Sequence, residues 1–109
     1  MSTSNDFKDY ILDQLHRLDD INVKKMFGEY GVFYREKMVA VLADNKFFLK
    51  PTKEGEAFIK SPLFEKFYEQ GKPYLLIEDT DDRELLEQLI VLTYHVLPLP
   101  KEKKKPRKN

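Results

Sequence analysis

The sequence predicts an α+β domain in which an antiparallel sheet of about five strands is covered on one face by helices, giving two layers. Three observations support this. Short runs rich in aromatic and β-branched residues recur along the chain, turn-forming residues separate them, and amphipathic segments lie near both ends. The predicted order of elements is α-β-β-β-α-β-β-α.

An amphipathic helix of about four turns is predicted near the N-terminus. Thr3 and Ser4 can accept N-cap hydrogen bonds. Apolar residues then recur at helical spacing, with charged residues on the opposite face. The apolar positions are Phe7, Tyr10, Ile11, Leu15 and Leu18. Asp19, Asp20 and Asn22 end this helix.

The segment 24–50 predicts the centre of the sheet. Three apolar runs in it have the length of strands, namely 32–34, 38–43 and 47–49. The segments 35–37 and 44–46 can close two hairpins, because Asp and Asn tolerate the left-handed conformation that tight turns need. The segment 23–27 can add a further strand before Gly28.

The second half predicts a short helix and another hairpin. The helix is expected over 53–60, with Thr52 as its cap. Its inward-facing residues are expected to be Ala57, Phe58 and Ile59. The segments 66–69 and 73–77 are expected to pair as strands across Gly71.

The last helix is predicted to begin at Thr80 and to end at Pro98 and Pro100. Its first turn is acidic, which suits the positive end of a helix dipole. From Lys101 onward the chain has no apolar residue, so we expect a folded domain over 1–98 and a disordered basic tail over 99–109.

The composition restricts where the protein works and what it contains. The chain of 109 residues has no cysteine, which excludes disulfides and thiolate zinc sites and fits a reducing cytoplasm. Its N-terminus is polar and acidic rather than basic and then apolar, and no apolar run approaches the roughly 18 residues of a membrane span. We expect a soluble cytoplasmic protein with no membrane partner.

The charge is unevenly distributed. Residues 101–109 carry six Lys or Arg and one Glu, and because the formal net charge of the chain is zero, the rest carries −5. The tail can contact phosphates without reading sequence. The candidate nucleic-acid-binding residues are Lys101, Lys103, Lys104, Lys105, Arg107 and Lys108. Such contact would be weak beside an acidic domain, and a solubilising terminus is the other interpretation.

Several segments in the first half resemble the N-terminal domain of the TfoX/Sxy proteins. They are Met26-Phe27-Gly28, Tyr30-Gly31, Phe33, Met38, Ala40 and Phe47-Phe48-Leu49-Lys50. The resemblance covers about residues 5–95. It implies a small α+β domain related to bacterial regulators of DNA-uptake competence, which act on transcription with the cyclic-AMP receptor protein. The family's separate C-terminal domain has no counterpart here, so we expect a stand-alone domain.

The glycines around Glu29 mark the candidate site. Gly28 and Gly31 can provide a bulge or tight bend. Alternatively, they shape a surface for a partner, with Tyr30 as an aromatic anchor and Lys24 nearby. The candidate partner-binding residues are Lys24, Lys25, Met26, Phe27, Gly28, Tyr30, Gly31 and Phe33.

No motif for catalysis or cofactor binding is recognisable. His16 and His95 are the only histidines, and each is expected near a helix end in a structural or solvent-facing role, so no metal site is expected. Phosphate-binding and nucleophile-elbow motifs do not occur. The sequence favours a non-enzymatic regulatory module that binds another protein or a second copy of itself. A nucleic-acid accessory protein is the alternative, and a small-molecule enzyme is the least favoured.

Overall fold

The structure is a computed structural model that describes residues 3–26 and 28–98. Three helices and six strands form in this part of the chain. They are α1 Asn5–Gln14, β1 Ile21–Met26, β2 Glu29–Tyr34, β3 Lys37–Ala43, β4 Lys46–Leu49, α2 Lys53–Phe58, β5 Leu63–Glu65, β6 Tyr74–Ile77 and α3 Arg83–Val96. The α+β class is confirmed. The tail predicted over 99–109 lies outside the described residues, so the domain boundary after residue 98 stays a prediction.

One antiparallel sheet contains all six strands, in the order β1-β2-β3-β4-β6-β5. The first four strands form a meander, as the segment 24–50 predicted. Asp44 and Asn45 close the β3–β4 hairpin with φ angles of 52° and 56°, and Arg35 begins the β2–β3 turn with φ 57°. Both turns lie where the sequence placed them.

The further strand that the sequence allowed over 23–27 forms as β1, Ile21–Met26, and pairs with β2. Gly28 has φ 83° and turns the chain tightly, so that Glu29 already pairs with Met26. Gly31 lies inside β2, paired with Lys24, and is not a bend. The fold therefore has one strand more than the five expected, because 21–26 and 29–34 both form full-length strands.

A β-bulge lies in β3. Val32 pairs with Ala40 and Phe33 pairs with Met38, which leaves Val39 as an extra residue. Val39 and Ala40 are both fully buried in the same core cluster. Met38 lies on the opposite face of the sheet, with Val41.

The helices cover one face of this sheet, as predicted. Ile11 of α1 and Leu86, Leu89 and Ile90 of α3 are fully buried there. They pack against alternate residues of the strands, which are Tyr30, Val32, Tyr34, Leu42, Phe47, Leu49, Leu75 and Ile77. Period-two alternation of side chains along each strand produces this single apolar layer.

The other face has a smaller apolar cluster and, among the described residues, no helix packs on it. Val41, Ala43 and Phe48 are buried there. Phe67, from the segment that joins β5 to β6, and Tyr74, the first residue of β6, pack over them. We call this side the open face of the sheet.

The helix ends differ from the predictions. α1 ends at Gln14, less than three turns long, and 15–18 continue in tighter turns, with Leu18 N–H donating to the carbonyl of Leu15. Asp82, rather than Thr80, caps α3 by accepting from the N–H of Leu85. Both residues are permitted caps, and only tertiary contacts distinguish them.

Two of the three residues predicted to face inward from the second helix do not, whereas half-buried Ile59 packs against the core as expected. Thr52 caps this helix as expected, but Phe58 is 47% exposed and Ala57 is also exposed. Gly55 is the buried residue, and a Cβ placed on it would lie 3.7 Å from Leu75 Cδ1. The helix backbone itself packs against the sheet at this glycine.

The strand predicted over 66–69 was placed too late. Leu63–Glu65 pairs with β6 instead, with Phe64 opposite Leu75. The aromatic residues at 67 and 68 fold back over the open face.

A buried lysine fixes the end of α3 to the sheet. The Lys37 side chain is 9% exposed, and its ammonium donates hydrogen bonds to the carbonyl oxygens of Tyr94, at 2.7 Å, and Leu97. The ammonium also lies 4.3 Å from the centroid of the Tyr94 ring. These carbonyls belong to the last turn of α3, where a positive charge is favourable.

Replacing Lys37 by Met should therefore lower the free energy of unfolding by about 1–3 kcal/mol, because two helix-end carbonyls lose a charged donor. Urea unfolding followed by circular dichroism measures this. Lys53→Met, at an exposed position of α2, is the matched control and should change stability by less than about 0.5 kcal/mol. Equal losses in both variants would contradict the role of Lys37.

Candidate partner-binding site

A groove of about 590 Å³ lies on the open face. Met26, Gly31 and Met38, from three successive strands, form its floor and one wall. Phe67, Tyr68 and Tyr74 form the opposite wall. The groove is thus an apolar surface at the place where the aromatic cover of the open face stops.

Gly31 lets two thioethers close over the sheet. A Cβ at this position would lie 2.8 Å from Met26 Sδ, closer than real Cβ atoms approach, and 3.0 Å from Met38 Sδ, which is tighter than most real Cβ contacts. Because residue 31 has no side chain, the two thioethers can occupy the space above it. Since Met is flexible and polarisable, this wall can adapt to an inserted apolar group.

The aromatic wall is held together by ring contacts. The Phe67 centroid lies 5.1 Å from that of Tyr74, nearly perpendicular to it, and 5.3 Å from that of Tyr68. Phe67 also packs on buried Phe48 at 5.2 Å, which anchors the wall to the sheet. Tyr68 remains 59% exposed. Its ring can contact a partner, and because the ring already packs against Phe67, binding would restrict its motion only a little further.

The groove has few charged groups. Burial raises the pKa of the Tyr74 phenol above its usual value, and the neighbouring Tyr68 acts in the same direction. Glu29 lies at the mouth, where its Oε1 accepts a hydrogen bond from Thr3 Oγ1 at 2.8 Å. The raised pKa keeps the Tyr74 phenol neutral near pH 7, so the groove suits an apolar group rather than an ion.

The structure brings only part of the predicted site together. Met26 and Gly31 line the groove, and Phe33 lies beside it on the same face. Lys24 places its ammonium 5.0 Å from the centroid of the Phe33 ring. Gly28 forms the turn between β1 and β2. Phe27 and the predicted nucleic-acid-binding residues of the tail lie outside the described residues.

Tyr30 is not an exposed aromatic anchor, so that prediction was wrong. Its side chain is 8% exposed, belongs to the core under the helices, and donates a hydrogen bond from its hydroxyl to Asn5 Oδ1 at 2.8 Å. Lys25 alternates with Lys24 and pairs with Tyr30, so it lies on the helix-covered side of β1. Strand alternation places Lys25 away from the groove, whereas Tyr30, although buried, still contributes to the lining of the groove.

Six groove residues were missed at the sequence level, namely Glu29, Met38, Val41, Phe67, Tyr68 and Tyr74. Met38 could have been found, because a hairpin closed by residues 35 and 36 places it opposite Phe33. Phe67, Tyr68 and Tyr74 carried no comparable signal, since they reach the groove from more than 30 residues further along the chain.

The histidines have structural surroundings. His16 Nδ1 lies 2.8 Å from the carbonyl oxygen of Asp13 at the end of α1, and His95 packs edge-on against Tyr94 near the end of α3. Within 3–26 and 28–98, no group of three His, Cys, Asp or Glu side chains is placed to hold a metal ion. No helix in that part is long and apolar enough to cross a membrane.

Two comparisons with known proteins give matches. A family model described as the TfoX N-terminal domain matches residues 13–97. A relative from Spirochaeta aurantia, an uncharacterized 12.7 kDa protein in the trpE 5′ region, is 32% identical over 105 residues, which cover 95% of this chain and 91% of the relative. The family match includes all six strands and therefore every residue that lines the groove.

Replacing Gly31 by Ala should move both thioethers while leaving the protein folded. The new methyl group meets the flexible ends of Met26 and Met38 and lies 3.3 Å from the edge of the Phe33 ring, so we expect the free energy of unfolding to change by less than about 1 kcal/mol if the thioethers move aside. The methyl resonances of both methionines should shift in ¹H–¹³C spectra. Unchanged Met38 resonances, or a loss of stability above about 3 kcal/mol, would show that Gly31 has another role.

Proposed function

The chain belongs to the TfoX N-terminal domain family, and from that premise we propose that it is a regulatory module that binds another protein through the groove on its open face. Membership of a regulatory family supports the first half of this proposal. The groove supports the second. Neither half requires catalysis.

The observation that carries the proposal is an apolar groove next to an exposed aromatic ring. Tyr68 is 59% exposed beside the groove, and Met26 and Met38 line it. Contiguous apolar surface of this kind on a small domain marks interaction sites, and buried aromatic rings commonly dominate the binding energy of protein interfaces. An apolar side chain of a partner, inserted between the methionines and Tyr68, is the contact that fits.

We infer the process that this protein regulates from its family. The family links this chain to transcription and to competence for DNA uptake, which are processes controlled by contacts between proteins. A second copy of the chain is another partner that the groove would accept. Sedimentation over a range of concentrations separates the two cases, since self-association would depend on the concentration of this chain alone.

Truncating the groove residues should weaken partner binding. Tyr68→Ala and Met38→Ala should each reduce affinity about tenfold or more, which is the loss of about 1.4 kcal/mol expected for an interface anchor. Capture of partners from cytosol of the source cells, followed by titration of the captured protein, measures this.

Phe58→Ala is the matched control for that experiment. Phe58 is a ring 47% exposed on α2, and it does not line the groove. This variant should bind like the unmodified protein. Full affinity of both groove variants, with their fold verified by circular dichroism, would show that the partner binds elsewhere.

The second proposal is accessory nucleic-acid binding by the tail. Its support is the concentration of six Lys or Arg in residues 101–109. Such contacts neutralise phosphates and release counterions, so the affinity falls steeply with salt.

Replacing Lys103, Lys104 and Lys105 by Gln should reduce the slope of log affinity against log salt by about 2 for single-stranded nucleic acid, because each contact contributes roughly 0.7. Fluorescence anisotropy of a labelled oligonucleotide measures it. The matched control replaces three exposed lysines of the domain, which are Lys53, Lys60 and Lys66. Equal slopes for both triple variants would reject the tail as the binding element.

A further inference from the structure

A second concavity, of about 350 Å³, lies where the end of β4 meets the end of α3. Phe33, Met38, Leu97 and Pro98 give it apolar walls. Its volume is at the lower end of the range for small-molecule sites. Met38 lines both this cavity and the groove described above.

Lys50 supplies a half-buried ammonium to this cavity. Burial lowers the pKa of the Lys50 amine below its usual value, and no neighbouring charge opposes that effect. Among the described residues, Lys50 forms no ion pair with a carboxylate. A cation that is partly removed from water without a counterion is unfavourable, and an anion placed beside it relieves this cost.

The other charged groups facing the cavity are Lys37 and Glu36. The Lys37 ammonium is already engaged by the carbonyl oxygens of Tyr94 and Leu97. Glu36 is exposed, and its Oε2 lies 3.4 Å from the Tyr94 hydroxyl. Of these three charged groups, Lys50 is therefore the one whose side chain makes no hydrogen bond to another described residue.

We propose that this cavity is a binding site for a small carboxylate carried on an apolar group, such as an arylalkyl or short alkyl acid. The carboxylate would accept hydrogen bonds from the Lys50 ammonium, and the apolar group would occupy the space between Phe33, Met38 and Leu97. Charge and apolar surface in one cavity select a ligand that has both properties. This inference goes beyond the proposed function and does not depend on a protein partner.

The test uses 4-phenylbutyrate as the probe with the full chain. The ¹³C signals of the Lys50 ε-carbon and the Met38 methyl group are followed during titration, in parallel with 4-phenylbutan-1-ol and 4-phenylbutylammonium. Both signals should shift and saturate with the carboxylate alone, and the pKa of Lys50 should rise when it is bound. Binding of the alcohol with equal affinity would overturn the proposal.

Variants of Lys50 test whether its positive charge binds the carboxylate. Lys50→Gln should weaken binding at least about tenfold, the loss typical of a hydrogen bond to a charged group, and Lys50→Arg should restore part of it. Lys53→Gln, at an exposed lysine nearby in sequence, should bind normally. Equal losses in Lys50→Gln and Lys53→Gln would mean general attraction to lysines and would also overturn the proposal.

The titration of the unmodified chain decides the question even if Lys50→Gln fails to fold. No partner protein is present in this experiment. A negative result therefore leaves the groove proposal untouched, and a failure of partner capture leaves this one untouched.

Discussion

Unequal covering of the two faces of one sheet is the constraint on which the rest of the structure depends. β3 and β4 carry buried apolar residues on both sides, with Leu42 and Phe47 on one face and Val41 and Phe48 on the other. Helices cover only the first of these faces. The open face is covered by aromatic residues from the segment between β5 and β6, and because this cover is small, an apolar groove remains beside it.

The helical layer is held in place mainly by its apolar face, and polar contacts fix its orientation. Arg17 of the segment after α1 makes a bidentate pair with Glu87 of α3, at 2.8 and 2.9 Å, while Gln14 donates to the carbonyl of Thr80 at 2.8 Å. Half of the Arg17 side chain is exposed to solvent, which screens the pair, so the pair contributes modestly by itself. These contacts nevertheless connect the end of α1 to the start of α3. The helical layer is therefore fixed on the face of the sheet opposite the open face.

Met38 is shared by the groove of the open face and the cavity at the end of α3. It borders the groove through its contact with the Gly31 position, and it also borders the cavity that contains Lys50. Its thioether is flexible, whereas the strand that carries it is paired on both sides. Adaptability at this site therefore comes from side chains, and the backbone beneath them stays in place.

The sequence by itself determined the class of fold, the meander over 24–50 and its turns at 35–36 and 44–45, because strand length, alternation and turn chemistry are local properties. Alternation could also have assigned Tyr30 to the core and Met38 to the open face once the register was known. Tertiary structure alone decided that Gly55 rather than Phe58 packs inward, and that the aromatic residues at 67, 68 and 74 lie against Met26 and Gly31. Those outcomes depend on which distant surfaces meet, and no local pattern records how closely two backbones approach.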